Sequence, residues 1–188
     1  MRDRSTPRID FCNQADNLAA LITTSALAFD SSSANNIVGV SVLRSGASLE
    51  VGVQRVVRNI EFGSMLIQND SESGEPRLIN INLPEVLRVA EAASKTTVLL
   101  LDSQIGTGAA ALMAIRVLLD HGVEELNIIF CCFLVSRIGG IHPVSTNYPG
   151  VRIQTGDVDP GLEERYDIDP STNKPKRVRI HFLPFLSS

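Results

Sequence analysis

One short stretch of the chain combines an acid, two glycines and a helix-forming segment. The apolar run Val98–Leu101 ends at Asp102, and Gly106, Thr107 and Gly108 follow before a stretch rich in alanine and leucine. Backbone N–H groups in the first turn of a helix lack partners within the helix and carry the positive end of its dipole, so they can bind an anion. A carboxylate at the same strand end would repel that anion but can accept hydrogen bonds from sugar hydroxyls. The pattern therefore predicts a ribose phosphate site.

Other interpretations of this stretch stay open. A Walker A loop is excluded because no lysine follows Gly108. Residues 106–111 also fit the dinucleotide-binding fingerprint G-x-G-x-x-A, although the next apolar run ends in Ser136 and Arg137 instead of the acid that this motif requires. A tight strand-to-helix turn, with Asp102 as a helix cap, would need no ligand.

A second loop earlier in the chain has a similar arrangement. The apolar run 36–43 is followed by Arg44, by Ser45-Gly46-Ala47-Ser48 and by a helical pattern. A guanidinium group presents a planar fork that suits phosphate oxygens. A second anion site beside the first would suit a substrate with two phosphate groups. In the alternative, Arg44 caps a carbonyl or pairs with a surface acid.

The elements that must position these loops alternate between strands and helices. Three apolar runs are continuous, as in parallel strands that are buried on both faces. Helical spacing covers 15–28 and 106–120, and His121-Gly122 forms a stop signal after the second helix. The chain is therefore predicted to be an α/β protein with a mainly parallel sheet flanked by helices. The predicted strands are 36–43, 64–68, 96–102, 127–135, 151–155 and 177–183.

Two polar segments interrupt this pattern. In 68–84, two extended pieces flank an Asp-Ser-Glu-Ser-Gly turn, which predicts a β-hairpin arm. The stretch 167–177 is rich in proline and charge and is predicted to be a loop. We expect a single domain over residues 1–188, with 68–84 as the arm and 167–188 as a divergent C-terminal segment.

Composition excludes several classes of function. The net charge of −4 gives no indication of non-specific nucleic-acid binding, which would need a basic face. No apolar run has the length of a membrane helix, and the first residues lack the apolar core of a secretory signal. Cys131 and Cys132 lie in an apolar run, which predicts buried thiols and a cytoplasmic protein. The three histidines are far apart in sequence, so no metal site made by the protein is expected.

Four segments together resemble the uracil phosphoribosyltransferase family. They read GVSVLRSGAS, MLIQNDSESGEP, VLLLDSQIGTGAAALMAIRVLLDHGV and YPGVRIQTGDVDPGLEERY, and they occur in the family's order and spacing. The likeness is greatest to the phosphoribosyltransferase-like C-terminal domain of uridine kinase-like proteins. It covers roughly residues 9–168.

The resemblance implies a type I phosphoribosyltransferase fold and a glycosyltransferase reaction. Uracil and phosphoribosyl pyrophosphate (PRPP) would give UMP and pyrophosphate in pyrimidine salvage. Asp102 would meet the ribose hydroxyls, and Arg44 and Gly46 would meet the pyrophosphate, which makes Asp102 and Arg44 the implied catalytic residues. The implied cradle of the 5′-phosphate is Gly106, Thr107, Gly108, Ala109 and Ala110.

The resemblance also implies partners. Magnesium would enter with the pyrophosphate of PRPP. A homodimer formed through the arm and a GTP effector are further expectations, and neither nucleic acid nor a membrane is an expected partner.

The base-binding half departs from the family's pattern. The family's uracil site reads close to Y-I-V-P-G-x-G-x-x-G-D-R, whereas this chain retains Tyr166 and Pro170 and lacks the glycines and the closing Gly-Asp-Arg. Asp159, Tyr166 and Ile168 are the residues that the resemblance places at the base. A catalytically impaired PRPP- or nucleotide-binding module with a regulatory or assembly role is therefore the alternative to an active transferase.

Overall fold

The computed structural model describes residues 6–28, 36–70 and 73–160, together with the backbone of 162–168 and 175–182. Its five α-helices, within these ranges, are α1 (Arg8–Ala28), α2 (Glu50–Val56), α3 (Ala90–Ala93), α4 (Ala109–Asp120) and α5 (His142–Asn147). The strands are β1 (Asn36–Leu43), β2 (Glu61–Asn69), β3 (Pro76–Asn82), β4 (Thr96–Leu101), β5 (Gln104–Ile105), β6 (Ile128–Ser136), β7 (Arg152–Asp159), β8 (Leu162–Ile168) and β9 (Pro175–Phe182).

Seven strands form one sheet, and all neighbouring pairs except β2–β3 are parallel. The sheet runs from β3 through β2, β1 and β4 to β6, and β7 also pairs with β6. The short strand β5 continues the register of β4 along β6, since Leu101 pairs with Cys131 and Gln104 pairs with Leu134. The carboxyl ends of β1, β4, β6 and β7 therefore lie at one edge of the sheet.

Apolar residues cover both faces of this sheet, as the continuous apolar runs predicted. One buried cluster joins Val98, Leu100 and Phe130 to α4 residues such as Ile115. The other joins Leu99, Leu101 and Cys131 to α1 and α2. Burying both faces at roughly 25 cal/mol per Å² of apolar area gives the main driving force for the fold.

The predicted α/β class, the parallel sheet and the hairpin are confirmed. The hairpin is β2–β3, and the Asp70 carboxylate accepts hydrogen bonds across its turn from the Ser73 N–H at 3.0 Å and from the Arg77 guanidinium at 3.1 Å. None of the helices in the described ranges is both long enough and apolar enough to cross a membrane.

Some predicted boundaries were wrong. Helix α1 begins at Arg8 instead of residue 15, and β7 extends to Asp159 instead of 155. The loop predicted over 167–177 overlaps strands at both ends, because β8 reaches Ile168 and β9 begins at Pro175 in an antiparallel pair. Residues 169–174, between these two strands, lie outside the described part of the chain.

Candidate active site

Asp102 occupies the predicted position at the carboxyl end of β4. Its backbone N–H still bonds to the Cys131 carbonyl, at 3.2 Å, and the chain then leaves the strand. The Ser103 carbonyl accepts the N–H groups of Phe133 and Leu134 at 3.1 and 3.3 Å. These backbone hydrogen bonds fix Asp102 at the edge where the parallel strands have their carboxyl ends.

Gly108 shapes the turn into α4. Its φ is +76°, in the left-handed region that favours glycine. A Cβ added there would also lie 2.7 Å from the Gly139 carbonyl oxygen, which follows β6. Helix α4 then starts at Ala109 with no side-chain cap on its first N–H groups. The predicted arrangement of strand, glycine turn and helix start is thus present, with Gly106, Thr107, Ala109 and Ala110 half-buried around it.

The loop after β1 lies directly against the end of β4. Gly46 is buried, and a Cβ added there would lie 2.2 Å from the Leu101 carbonyl oxygen. The Leu43–Arg44 peptide bond, which starts the loop, is cis. Arg44 is exposed, and among the described residues no hydrogen bond or ion pair holds its guanidinium group. The alternative that it caps a carbonyl or pairs with an acid gains no support within that part of the chain.

A side-chain hydrogen bond joins the two loops: the Ser45 hydroxyl donates to the Asp102 carboxylate. Burial raises the pKa of Asp102 to about 6, and the bonds from Ser45 and from the backbone N–H groups of Gln104 and Ser103 oppose that rise. Near neutral pH the carboxylate is therefore ionised and able to accept hydrogen bonds.

A hydrogen bond between Ser41 and Glu50 connects the two ends of the loop after β1. The hydroxyl of buried Ser41 on β1 donates to Oε1 of Glu50, the first residue of α2, at 2.7 Å. This bond connects the strand before the loop to the helix after it. Arg44, Ser45 and Gly46 are thereby held between two anchored ends.

The structure describes the predicted base-binding residues less fully than it describes the two loops. Asp159, the last residue of β7, is 1% exposed and pairs in register with Ser136, so it is a buried strand residue and not a solvated loop acid. Asp157, two residues earlier, is exposed. Tyr166 and Ile168 belong to β8, and their side chains lie outside the described part of the structure.

A cavity of about 550 Å³ adjoins the two loops. Phe11, Ala15 and Leu18 of α1 form its apolar wall with Phe133 and Leu134 of β6. Its polar lining residues are Arg44, Ser45, Ser48, Ser103, Gln104 and Asp157. The cavity therefore opens beside Asp102, on the α1 face of the sheet.

Two of the cysteines, Cys131 and Cys132, belong to the hydrophobic core. Cys131 and Cys132 are buried on opposite faces of β6, and no disulfide joins them. Burial raises the pKa of both thiols, that of Cys132 to about 12, so they stay protonated. Within the described ranges, no group of three or more His, Cys, Asp or Glu residues could hold a metal ion.

Sequence comparison assigns this geometry to a known family. The family model of uracil phosphoribosyltransferase matches residues 29–174. A uracil phosphoribosyltransferase of Dictyostelium discoideum is 34% identical over 90% of this chain and 83% of its own length. The chain belongs to the uracil phosphoribosyltransferase family.

A second relative has a different overall length. Uridine-cytidine kinase-like 1 of Mus musculus is 33% identical over 90% of this chain, but the match spans only 33% of that protein. Both parts of the predicted resemblance, to the transferases and to the kinase-like proteins, are therefore confirmed.

Solved structures agree on the fold. A protein of Aquifex aeolicus superposes with a TM-score of 0.71 at 22% identity and covers 84% of this chain and 79% of its own. Solved purine and hypoxanthine-guanine phosphoribosyltransferases reach a TM-score of 0.53. The type I phosphoribosyltransferase fold predicted from the sequence is thus confirmed.

Sequence reasoning about this family member missed three features of the site. It did not assign a role to Ser45, although a hydroxyl next to Arg44 in an anion loop is a usable signal. It did not assign Gln104, which follows the strand acid by two residues. It also could not place Phe11 beside the site, since that requires knowing how α1 packs.

Proposed function

We propose that this chain transfers the phosphoribosyl group of PRPP to uracil, yielding UMP and pyrophosphate. The observation that carries the proposal is the junction of two loops, in which Gly46 packs on the end of β4 and Ser45 bonds to Asp102. One end of this junction offers a free helix start and the other an exposed guanidinium, so two phosphate groups can bind on either side of one carboxylate.

In this proposal each loop has its own part of PRPP. The α4 start, from Gly106 to Ala110, cradles the 5′-phosphate through its backbone N–H groups. The Asp102 carboxylate accepts hydrogen bonds from the ribose hydroxyls, and Arg44 and Gly46 meet the pyrophosphate. Asp102 and Arg44 are the proposed catalytic residues.

The proposed reaction is a displacement at C1 of the ribose. The bond from C1 to the pyrophosphate oxygen breaks, a bond from uracil N1 to C1 forms, and the N1 proton leaves to water. Positive charge develops on the ribose, so catalysis depends on holding the reactants and on stabilising the leaving pyrophosphate. The Arg44 guanidinium supplies charge at that leaving group.

Magnesium fits this site as a companion of the substrate. Mg²⁺ is commonly held by one or two carboxylates together with substrate phosphates and water. The described residues place the Asp102 carboxylate next to an anion loop and form no group of three or more His, Cys, Asp or Glu residues that could hold a metal ion, which suits such binding. Bound to the pyrophosphate, the ion would neutralise the charge of the leaving group.

The family match favours this transferase over a non-catalytic binding module. We further propose a homodimer that uses the β2–β3 arm, a cytoplasmic location and a response to GTP, all of which rest on the resemblance and the cysteine usage. The proposal that 1–188 forms one domain is supported by the seven-stranded sheet and the packing of α1 on it, whereas β8 and β9 pair with each other in a separate two-stranded sheet.

The test is to incubate the purified protein with PRPP, magnesium and labelled uracil and to count UMP. Asp102→Ala is the inactive variant, and Asp120→Ala, which alters an exposed acid at the far end of α4, is the control. We expect UMP from the parent and the control but not from Asp102→Ala. A folded parent that binds PRPP and makes no UMP would leave the binding module as the better description.

A further inference from the structure

The loop after β1 contains both residues that are proposed to meet the pyrophosphate, Arg44 and Gly46, and it has little rigidity of its own. Ser45–Leu49 is a 3₁₀ turn without a side-chain cap at its start. Hydrogen-bond geometry in a 3₁₀ turn is poorer than in an α-helix, so the turn alone holds its shape weakly. The position of Arg44 therefore depends on contacts outside the turn.

One such contact spans the whole loop. Ser41 is 0% exposed and belongs to the interior strand β1, where it pairs with Ser64 of β2 and Leu101 of β4. Its hydroxyl donates to Oε1 of half-buried Glu50, the first residue of α2, at 2.7 Å. The bond thus fixes the start of α2 to a strand that the sheet holds on both sides.

The backbone of the loop packs on the same residue of β1. A Cβ added to Gly46 would lie 3.2 Å from the Ser41 Cα, in addition to its close approach to β4. The Ser48 hydroxyl donates to the Ser45 carbonyl at 2.7 Å, and the Glu50 N–H donates to the Ala47 carbonyl. A shift of Glu50 would therefore be transmitted along the turn to the residues that precede it.

The Glu50 carboxylate requires an explanation, because a negative charge beside a loop that binds an anion opposes that binding. Within the described residues it forms no ion pair with Arg44 or another cation, and the Ser41 hydroxyl is its hydrogen-bonding partner. The side chain thus leaves the Arg44 guanidinium available to a ligand. What it contributes to the loop is the bond to Ser41.

We infer that Glu50 is a positioning residue, which holds the loop after β1 through Ser41 in the shape that binds pyrophosphate and does not itself touch the substrate. The inference rests on the proposed transferase function. A loop that is already ordered loses less conformational freedom when its ligand binds, so the bond raises affinity. The loop after β4 is held by its own backbone bonds to β6, so its affinity for a ribose phosphate should not depend on Glu50.

Two substitutions at Glu50 separate its reach from its charge. Glu50→Gln keeps an accepting oxygen at the same distance from the backbone and removes the charge, whereas Glu50→Asp keeps the charge and withdraws the oxygen by one methylene. Ser41→Ala removes the donor. Thr23→Val is the matched control, because it deletes another buried hydroxyl bond, to the Ala19 carbonyl at 2.8 Å, in a part of α1 that does not line the cavity.

Calorimetry on the full chain measures the binding of pyrophosphate with magnesium and, separately, of ribose 5-phosphate. Glu50→Asp and Ser41→Ala should each raise the dissociation constant of pyrophosphate about tenfold, and the double variant should be no weaker than either, since both remove one bond. Glu50→Gln should stay within about threefold of the parent because its oxygen still accepts the hydroxyl. Every variant should bind ribose 5-phosphate within about twofold, and Thr23→Val should match the parent for both ligands.

Three outcomes would overturn the inference. In the first, Glu50→Asp binds pyrophosphate as tightly as the parent. In the second, it loses affinity for both ligands equally, which would assign Glu50 a general structural role. In the third, the folded parent does not bind pyrophosphate at all.

The two Glu50 variants decide the matter if Ser41→Ala does not fold. Failure of the proposed function has a different signature. If pyrophosphate binding follows the expected pattern but the parent makes no UMP from uracil and PRPP, the transferase proposal is wrong and the positioning role of Glu50 stands.

Discussion

The loops after β1 and after β4 follow neighbouring parallel strands, yet they are held in different ways. The β4 loop is fixed by backbone hydrogen bonds to β6 and by the left-handed φ of Gly108. The β1 loop is fixed by side chains, through the Ser41–Glu50 and Ser45–Asp102 bonds, and by the close approach of Gly46 to β4.

The difference also extends to charge. The β4 loop carries a half-buried carboxylate whose pKa is shifted by burial, whereas the β1 loop carries an exposed guanidinium. A half-buried carboxylate depends on its neighbours for its protonation state, while an exposed guanidinium is always charged. The β4 loop is therefore where small changes should alter chemistry, and the β1 loop is where they should alter position or affinity.

The largest expected effect is that of Asp102→Asn. Hydrogen bonds to charged groups contribute about 1.5–3 kcal/mol each, so losing the charge that is proposed to bind two ribose hydroxyls should lower kcat/KM for PRPP by roughly 100-fold or more. Steady-state kinetics measures this, with Asp120→Asn as a control that leaves the buried carboxylate intact. An Asp102→Asn enzyme with near-parental kcat/KM would show that the carboxylate does not hold the ribose.

The same substitution should stabilise the fold. Because the folded-state pKa of Asp102, about 6, lies above its unfolded value, the ionised carboxylate lowers stability at pH 8. Asparagine removes that cost, so its melting temperature should exceed the parent's at pH 8. The gain should shrink as the pH falls through 6 and vanish below about 4, where the carboxyl is protonated in both states. Thermal unfolding over this pH range checks the sign.

Gly46→Ala should come next, because the β1 loop depends on a close approach. Its Cβ would lie 2.2 Å from a backbone oxygen that cannot move without disturbing β4. Overpacking of this kind costs about 1–3 kcal/mol and should displace Arg44 and Ser45, raising the KM for PRPP by at least tenfold. Gly74→Ala is the matched control.

In Gly74→Ala the new Cβ meets open space. The only unfavourable factor is the backbone φ of +72°, which costs a residue with a Cβ about 1–2 kcal/mol. It should therefore lower stability to a similar extent but leave the KM unchanged. Equal KM values for the two variants would mean that the close packing of the loops does not matter for substrate binding.

Arg44→Lys should have a smaller effect and act on affinity. Lysine keeps the charge but loses the planar fork that binds two phosphate oxygens at once. We expect about a tenfold weaker binding of pyrophosphate, measured by calorimetry, with an unchanged melting temperature because Arg44 is exposed. A large loss of stability would instead assign Arg44 a structural role.

The smallest expected effect is that of Ser45→Ala. This substitution removes the hydrogen bond between the two loops and changes neither the Asp102 charge nor the Arg44 charge. The Ser45 hydrogen bond lowers the pKa of Asp102, so its loss should raise that pKa further. The acid limb of the kcat/KM profile, which should fall with a midpoint near 6 in the parent, should move to higher pH in the variant. A profile that keeps its midpoint would show that the inter-loop bond is absent during turnover.

The sequence by itself determined the α/β class and most of the local structure of the proposed phosphate site. Continuous apolar runs specify strands that are buried on both faces, and a glycine turn before a helix specifies where free N–H groups lie, because both signals are local. The order of Asp102, Gly106, Thr107 and Gly108 therefore predicted the strand end, the glycine turn and the helix start of the β4 loop, whereas its binding of a ribose phosphate stays a prediction. The buried positions of Cys131 and Cys132 also followed from their apolar run.

Only the tertiary structure decided how the parts meet. That Ser45 reaches Asp102, that Gly46 touches β4, and that Phe11 lies across a cavity from Phe133 all depend on contacts between residues far apart in the chain. Local patterns do not encode these distances, since they arise from the register of β1, β4 and β6 and from the packing of α1 on them. For the same physical reason, burial of Asp102 and the rise in its pKa could not be read from residue types alone.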